Sequence, residues 1–204
     1  MKVYDKDIRK MLLEKFLTIK DFVSDPATKL IYEMDICIGS ARVDIAVVNG
    51  KMYGFEIKSE RDTLERLPSQ VEAYNKIFDF IILIIAEDHL SKIGTMVPDF
   101  WGLYSVKKNK EKAYLVRKRQ AKKNPNVDVF FLSQLLWKEE LLNLLYNNGI
   151  TKGVKSKSRY QLGIIAVENI EREYIADYVK STLKSRKGWK AVELQQLCDG
   201  SHLL

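Results

Sequence analysis

Histidine and cysteine are scarce in this chain, with two of each in 204 residues. Cys37 and Cys198 lie far apart and form no CxxC pair. That excludes a disulfide framework and a zinc knuckle, and points to a reducing, cytoplasmic setting. His89 and His202 are equally isolated, so an HNH or zinc-hydrolase centre has no ligands to draw on. No glycine-rich phosphate loop and no nucleophile elbow appear. Long apolar runs are missing too. The longest, FIILIIA from Phe80 to Ala86, is far short of a membrane span and reads as a buried strand. The opening segment MKVYDKDIRKMLLEKF is charged throughout, unlike a signal peptide. No membrane partner is expected.

What is present is ordinary for a globular protein: 46% hydrophobic and 30% charged residues, enough chain for one domain with a small appendage. The formal charge is +7, a balance that favours polyanionic partners. It is unevenly spread. Residues 107–123 hold Lys107, Lys108, Lys110, Lys112, Arg117, Lys118, Arg119, Lys122 and Lys123 against Glu111 alone. A second cluster, TKGVKSKSRY, carries Lys152, Lys155, Lys157 and Arg159 with no acid. Tyr104, Tyr114 and Tyr160 are interleaved with them. A phosphate-contacting surface and a merely solvated face both account for this pattern.

Periodicity gives the order of elements. Residues 5–18 read as an amphipathic helix, with Ile8, Leu12, Leu13, Phe16 and Leu17 at helical spacing. A loop over 21–28 leads to three strands, 30–38, 42–48 and 52–58, punctuated by Gly39-Ser40 and Asn49-Gly50. A helix is expected over 64–78, its main part starting at Pro68. A buried strand follows over 79–86, then a helix over 89–96 and strands over 101–106 and 113–117. Beyond Pro125 the pattern turns helical, over 132–146, 159–169 and 172–185. The fold class is therefore α/β, with an αβββαβ core in residues 1–125. A basic helical extension fills 126–204, either binding nucleic acid or packed on the core.

Register decides which side chains meet. Val43, Ile45 and Val47 form one apolar face, and Tyr53, Phe55 and Ile57 another. They share a side of the sheet only if odd positions face odd positions. A three-residue loop, Val48-Asn49-Gly50 with Gly50 left-handed, satisfies this, whereas a two-residue Asn49-Gly50 turn does not. The same parity gathers Asp44, Glu56 and Lys58 on the opposite face. Strands disfavour Asp and Glu, and half-buried charges are costly unless they are paired or bind metal. Two hard carboxylates can hold Mg²⁺, which polarises a phosphate and acidifies a water, while a lysine orients that water and offsets developing charge.

The run RVDIAVVNGKMYGFEIKS resembles the active-site hairpin of the PD-(D/E)xK, or restriction-endonuclease-like, nuclease superfamily, and the αβββαβ order is similar to its core. The wider stretch from YEMDICIGSARVDIAVV through EIKSERDTLERLPSQVEAY, with KGVKSKSRY, resembles small stand-alone bacterial members. Val43 stands where the motif's name has proline. The resemblance implies a mixed central sheet and a Mg²⁺-dependent nuclease, with Mn²⁺ as a substitute, acting on nucleic acid and on DNA in preference. Catalytic roles fall to Asp44, Glu56 and Lys58. The implied metal ligands are Glu33, Asp44, Glu56 and the Ile57 carbonyl, with Asp35 and Glu14 competing for the place of Glu33. Gln70 and Tyr74, at i,i+4 spacing, are similar to a QxxxY element that holds substrate or the active-site lysine. Arg61, Arg66, Lys155, Lys157 and Arg159 are candidate substrate contacts, and a homodimer is open. The alternative function is a non-catalytic nucleic-acid-binding or partner-binding protein that retains the nuclease fold. In it, helices 132–146 and 159–169 form a helix-turn-helix-like pair.

Overall fold

A computed structural model describes residues 3–110, 112–187, 189 and 191–194. Cys198 and His202 lie outside the described residues. The first helix, α1 (Asp5–Phe16), forms as its spacing predicts, with Ile8, Leu12 and Phe16 on its buried side. The Tyr4 N–H donates to Asp7 at 3.0 Å, so an acid in the first turn satisfies an orphan donor and opposes the helix dipole. The expected loop after it contains one helical turn, α2 (Lys20–Val23), which sends Phe22 edge-on against Phe16 at 5.6 Å.

Three antiparallel strands follow: β1 (Lys29–Ile36), β2 (Ala41–Val48) and β3 (Met52–Lys58), with a 3-10 turn at Cys37–Gly39. Then come α3 (Leu67–Asn75), with Pro68 in its first turn, and β4 (Phe80–Ala86), parallel to β3. Two short 3-10 turns, Glu87–Lys92 and Gly94–Met96, stand where one helix was expected. Neither buries a side chain of its own, so nothing holds a longer helix together. Strands β5 (Gly102–Lys108) and β6 (Ala113–Arg119) form a hairpin, with β5 parallel to β4. The helix expected over 132–146 is two, α4 (Val129–Ser133) and α5 (Lys138–Asn147). The break lets Leu135 and Leu136 both turn inward. Helices α6 (Arg159–Asn169) and α7 (Arg172–Ser185) match their expected spans. A short strand the sequence did not signal, β7 (Ala191–Glu193), pairs with the outer edge of β1.

The result is α/β: a seven-stranded mixed sheet in the order β6-β5-β4-β3-β2-β1-β7, with a helical C-terminal region. One buried cluster lies between the sheet and α1–α2 and includes Phe16, Phe22, Ile45, Phe55 and Ile84. The larger cluster joins the other face to α3 and to the C-terminal helices, through Ile31, Leu83, Tyr74, Leu136, Leu162 and Val179. Residues beyond 126 thus share a core with the sheet. Among the described residues no helix is long and apolar enough to cross a membrane.

The β2–β3 register keeps the expected parity but sits two residues further on. The loop is Asn49-Gly50-Lys51, with Gly50 at φ 97° and the Asn49 N–H donating to the Lys51 carbonyl at 3.1 Å. Val48 pairs Met52 and Ile45 pairs Phe55. Continued one step, this register sets Asp44 across from Glu56, where the expected loop would have faced it with Gly54.

Gly54 is where α3's exit comes closest to the sheet. A Cβ there would stand 2.6–2.8 Å from three atoms of the Phe78 ring. Gly54→Ala should cost about 1–3 kcal/mol, lowering the melting temperature by about 2–4 °C per kcal/mol for a chain of this size. Phe78→Leu in the same protein should recover part of that loss. An unaltered Gly54→Ala melting curve would contradict the packing.

Candidate active site

The cleft exists because β2 and β3 stop pairing one residue short of it. Their ladder ends at Ile45–Phe55. Beyond it the Ile57 N–H finds no strand carbonyl and donates to the Asp44 carboxylate at 2.8 Å. A side chain has replaced the ladder acceptor, which explains an aspartate inside a strand. The neighbouring strand is irregular at the same level. Glu33 has φ 49°, and β1–β2 pairing skips the position opposite Asp44 while Tyr32–Ile45 and Met34–Val43 pair on either side. Face alternation breaks there too, correcting the expectation for Val43. It joins the α3-side cluster, whereas Ile45 and Val47 join the other. Glu33, Asp44 and Glu56 thus fall in a row across β1, β2 and β3.

Beneath this row Glu56 and Lys58 are almost fully buried, with side chains 2% and 5% exposed. The Lys58 ammonium donates to Glu56 Oε1 at 2.6 Å and to Gln70 Oε1 at 2.9 Å. The Gln70 amide donates back to Glu56 Oε1 at 2.6 Å, and the Tyr74 hydroxyl donates to Glu56 Oε2. That hydroxyl also lies 3.0 Å from the Arg42 carbonyl. The i,i+4 pair of α3 therefore holds the carboxylate and the lysine together. Tyr74 is fully buried, so of its two expected roles it fits holding the buried pair, through Glu56, and not a contact on the cavity wall. Burial and the adjacent Glu56 push the Tyr74 phenol far up, so it stays a donor.

One member the sequence did not flag is Arg9. From α1 it donates to Glu33 Oε1 at 2.7 Å, to the Asp44 carbonyl at 3.3 Å and to Asp44 Oδ1 at 3.4 Å, while Asp5 grips its Nε at 2.6 Å. The signal was available in the Asp5–Arg9 i,i+4 spacing, but nothing local ties α1 to the hairpin. Even with Arg9 near, burial first and Glu56 second push Asp44 up to about 7. The site carries more negative charge than its two cations offset.

These residues line a cavity of about 560 Å³. Its wall holds Asp5, Glu33, Asp35, Asp44, Glu56 and Asp62 against Arg42, Lys58 and Arg66. Hard oxygens and surplus negative charge fit a divalent cation. Among the described residues no three acidic, histidine or cysteine side chains converge as a ready cage. Mg²⁺ does not require one, since it takes one or two carboxylates and completes its shell with waters and phosphate oxygens. Asp44, Glu56 and the Ile57 carbonyl are the groups placed to hold one, with Glu56 also accepting from Lys58, Gln70 and Tyr74, while Glu33 takes the closer contact of Arg9.

The chain matches the family model for bacteriophage P4 protein cII over residues 1–196. It belongs to that family. Protein cII of Enterobacteria phage P4 is 27% identical over 177 residues, covering 87% of this chain and 66% of that protein. The chain therefore spans just under two thirds of the relative's length. A protein of unknown function from Silicibacter pomeroyi superposes over 58% of this chain and 68% of its own, at 14% identity and a TM-score of 0.38, too low to carry an argument.

The cII-family chain brings Glu33, Asp44, Glu56, Ile57, Lys58, Arg66 and Gln70 to one cavity. Asp35 reaches its rim but pairs with Arg42 at 2.9 Å, and Glu14 is exposed on α1 outside it. Arg61 packs over the Tyr4 ring at 4.6 Å and is not on the wall. Lys155, Lys157 and Arg159 are not on it either, although Arg159 lines a smaller neighbouring cavity. Of the 107–123 cluster, Lys107 pairs with Glu87, Lys108 with Glu60 and Arg119 with Asp99. Strand β6 stands three strand spacings from β3, about 14 Å.

Asp44 gives a pH signature in the metal-free protein. Folded, it keeps its proton to about 7; unfolded, an aspartate releases it near about 3.9. Between those values the native state binds more protons, so this group's contribution to stability falls as pH rises, by at most about 1.4 kcal/mol per unit. Asp44→Asn keeps an acceptor for Ile57 and loses the charge. Its melting temperature should gain on wild type from about pH 4 to about pH 7. Parallel pH profiles for the two proteins would refute the raised value.

Proposed function

We propose that this cII-family chain is a divalent-cation-dependent nuclease that hydrolyses phosphodiester bonds of nucleic acid, with DNA the favoured substrate. The observation that carries the reading is the placement of the Asp44 carboxylate, bound by the Ile57 N–H, beside a buried and hydrogen-bonded Glu56–Lys58 pair in one acidic cleft. The order α1-β1-β2-β3-α3-β4, with β4 parallel to β3, supports it as the core arrangement of the restriction-endonuclease-like superfamily.

A phosphate entering this cavity meets six carboxylates, so it needs a cation there to be held at all. Mg²⁺ bound to Asp44, Glu56 and the Ile57 carbonyl would supply that charge and acidify a water. The chain's own residues do the rest. Lys58, fixed by Gln70 and Glu56, presents one compact ammonium to the attacking water and to the charge that develops on the phosphate. Arg66 on the rim makes no ion pair among the described residues and is available to a phosphate oxygen. Tyr74 and Gln70 keep Glu56 from rotating away.

The second reading is a nucleic-acid or partner-binding protein without catalysis. It is favoured by Arg9, which bridges Glu33 and Asp44 and lets the carboxylate row stand with protein cations alone.

Lys58 separates the two. Acting mainly in the transition state, it should contribute little to holding ground-state nucleic acid. Lys58→Ala should lower single-turnover cleavage by about a hundredfold or more and leave binding nearly intact. Lys58→Arg should fail as well, because a planar fork does not replace an ammonium. The assay compares duplex, single-stranded and branched DNA and RNA with Mg²⁺, Mn²⁺ or EDTA. Equal rates for wild type and Lys58→Ala would remove the catalytic assignment.

The metal has its own readout. Mg²⁺ or Mn²⁺ should raise the wild-type melting temperature through mass action, and the increment should vanish in Asp44→Ala. Equal increments in both proteins would assign the cation to another site.

A further inference from the structure

A second, smaller cavity of about 230 Å³ adjoins the acidic one, and the two share Asp35 and Gly39 on their common rim. Its wall includes Ile38, Trp137, Arg159, Arg186 and Trp189. The volume is below the roughly 300–1,000 Å³ of a complete small-molecule site and suits one planar group.

Its construction is specific. Arg186, 2% exposed, lies between two indoles, 4.1 Å from the Trp137 ring centroid and 4.4 Å from that of Trp189. The guanidinium donates to Glu140 Oε1 at 3.0 Å and to the Leu135 carbonyl at 3.1 Å. Glu140 in turn accepts the Trp137 N–H at 2.7 Å. The indole of Trp137 is thus fixed through its backbone and through one ring face, and it is still 49% exposed. A half-exposed tryptophan backed by a buried cation offers a large aromatic surface at the cavity wall. Beside it, Arg159 makes no ion pair among the described residues. The acid on the shared rim, Asp35, is neutralised by Arg42.

We infer that Trp137 is a stacking platform for one unpaired base of a nucleic acid strand whose backbone continues into the Asp44–Glu56 cavity, with Arg159 contacting a phosphate of that strand. This rests on the nucleic-acid reading above and narrows it to a substrate with a single-stranded segment beside the scissile bond. The continuity of the two cavities argues for this occupant, and so do the open indole face and the unpaired guanidinium. Base stacking is sequence-tolerant, so the platform confers a preference for strand form and not for sequence.

The test uses the full chain with Lys58→Ala as parent, in Mg²⁺, titrated with oligothymidylate and with a blunt duplex of equal length. The parent should prefer the single strand, and its tryptophan emission should be quenched on binding. Trp137→Leu should weaken single-strand binding about tenfold or more and remove most of the quench, while Trp137→Phe should retain most of the affinity. Arg159→Gln, which breaks no ion pair among the described residues, should weaken binding and flatten its salt dependence without altering the melting temperature. Unchanged affinity in both Trp137→Leu and Arg159→Gln would overturn the platform. Emission that changes with protein concentration alone would also overturn it, by assigning the indole to a contact between copies. Wild type that cleaves normally while either result holds would leave the nuclease reading standing. Strand binding without any cleavage would do the reverse.

Discussion

The Lys58–Glu56 pair is the contact around which the rest of the site is arranged. Removing two charges from water costs several kcal/mol each, and their attraction compensates only when the remaining donors and acceptors are also satisfied. Here Gln70 and Tyr74 on α3 satisfy both Glu56 oxygens, and Gln70 takes a second ammonium N–H. That requirement fixes where α3 must lie. It runs over the end of β3, close enough that the sheet beneath its exit carries a glycine at position 54 to admit Phe78. Tyr74 extends the constraint into the core by stacking on Trp101 at 5.8 Å, and the Trp101 indole donates to Asn75 at 2.8 Å. The polar pair and the apolar core therefore specify the same placement of one helix, which is the consistency across levels that makes a fold unique.

Much of this was legible in the sequence. The ends of β3, α6 and α7 follow from alternation and from helical spacing, and hairpin parity follows from requiring Ile45 and Phe55 to share a face. Parity does not set absolute register, however. Turns starting at residue 48 or 49 both satisfy it, and the choice rests with Gly50 and the Asn49–Lys51 hydrogen bond. Sequence patterns also assume that a strand stays regular. The positive φ at Glu33 and the loss of alternation at Asp44 are local distortions that no period detects. Arg9 escaped notice for another reason: it is long-range, and long-range partners of a surface arginine leave no trace in spacing. The division of residues 132–146 into two helices is of the same kind, since it depends on Arg186, about fifty residues on, taking the Leu135 carbonyl.

Charge distribution reconciles two facts that otherwise conflict. The chain is basic overall, at +7, yet its principal cleft is acidic. A basic exterior draws a polyanion toward the protein over distances set by salt screening, but the cleft would turn the same polyanion away at close range. Lysines engaged with Glu87 and Glu60 at the ends of β5 and β3 show that part of the surplus is spent on internal pairing. Arg66 and Arg159, which make no ion pair among the described residues, line the acidic cavity and the smaller one beside it. Under the proposed function, a strand held at those two points would span the carboxylates without depending on them. The close-range repulsion would then be confined to the phosphate between Asp44 and Glu56, where the proposed divalent cation would reverse its sign.

Arg9 bears on the same balance. Its guanidinium is shared among Asp5, Glu33 and Asp44, and its distances grade from 2.6 Å at Asp5 through 2.7 Å at Glu33 to 3.4 Å at the Asp44 carboxylate. The contact with Asp44 is the longest and the least stabilising, whereas those with Asp5 and Glu33 are charge-assisted bonds of full strength. A second cation at Asp44 therefore asks Arg9 to give up only its weakest carboxylate contact, and α1 stays anchored to β1 through Glu33. Glu33 gains a purpose from this: at φ 49° it is strained, and its carboxylate gives Arg9 a partner outside the Asp44–Glu56 pair. Under the proposed function the row of three acids is divided, with two left to the cation and its phosphate and the third holding the arginine that keeps the first helix in place.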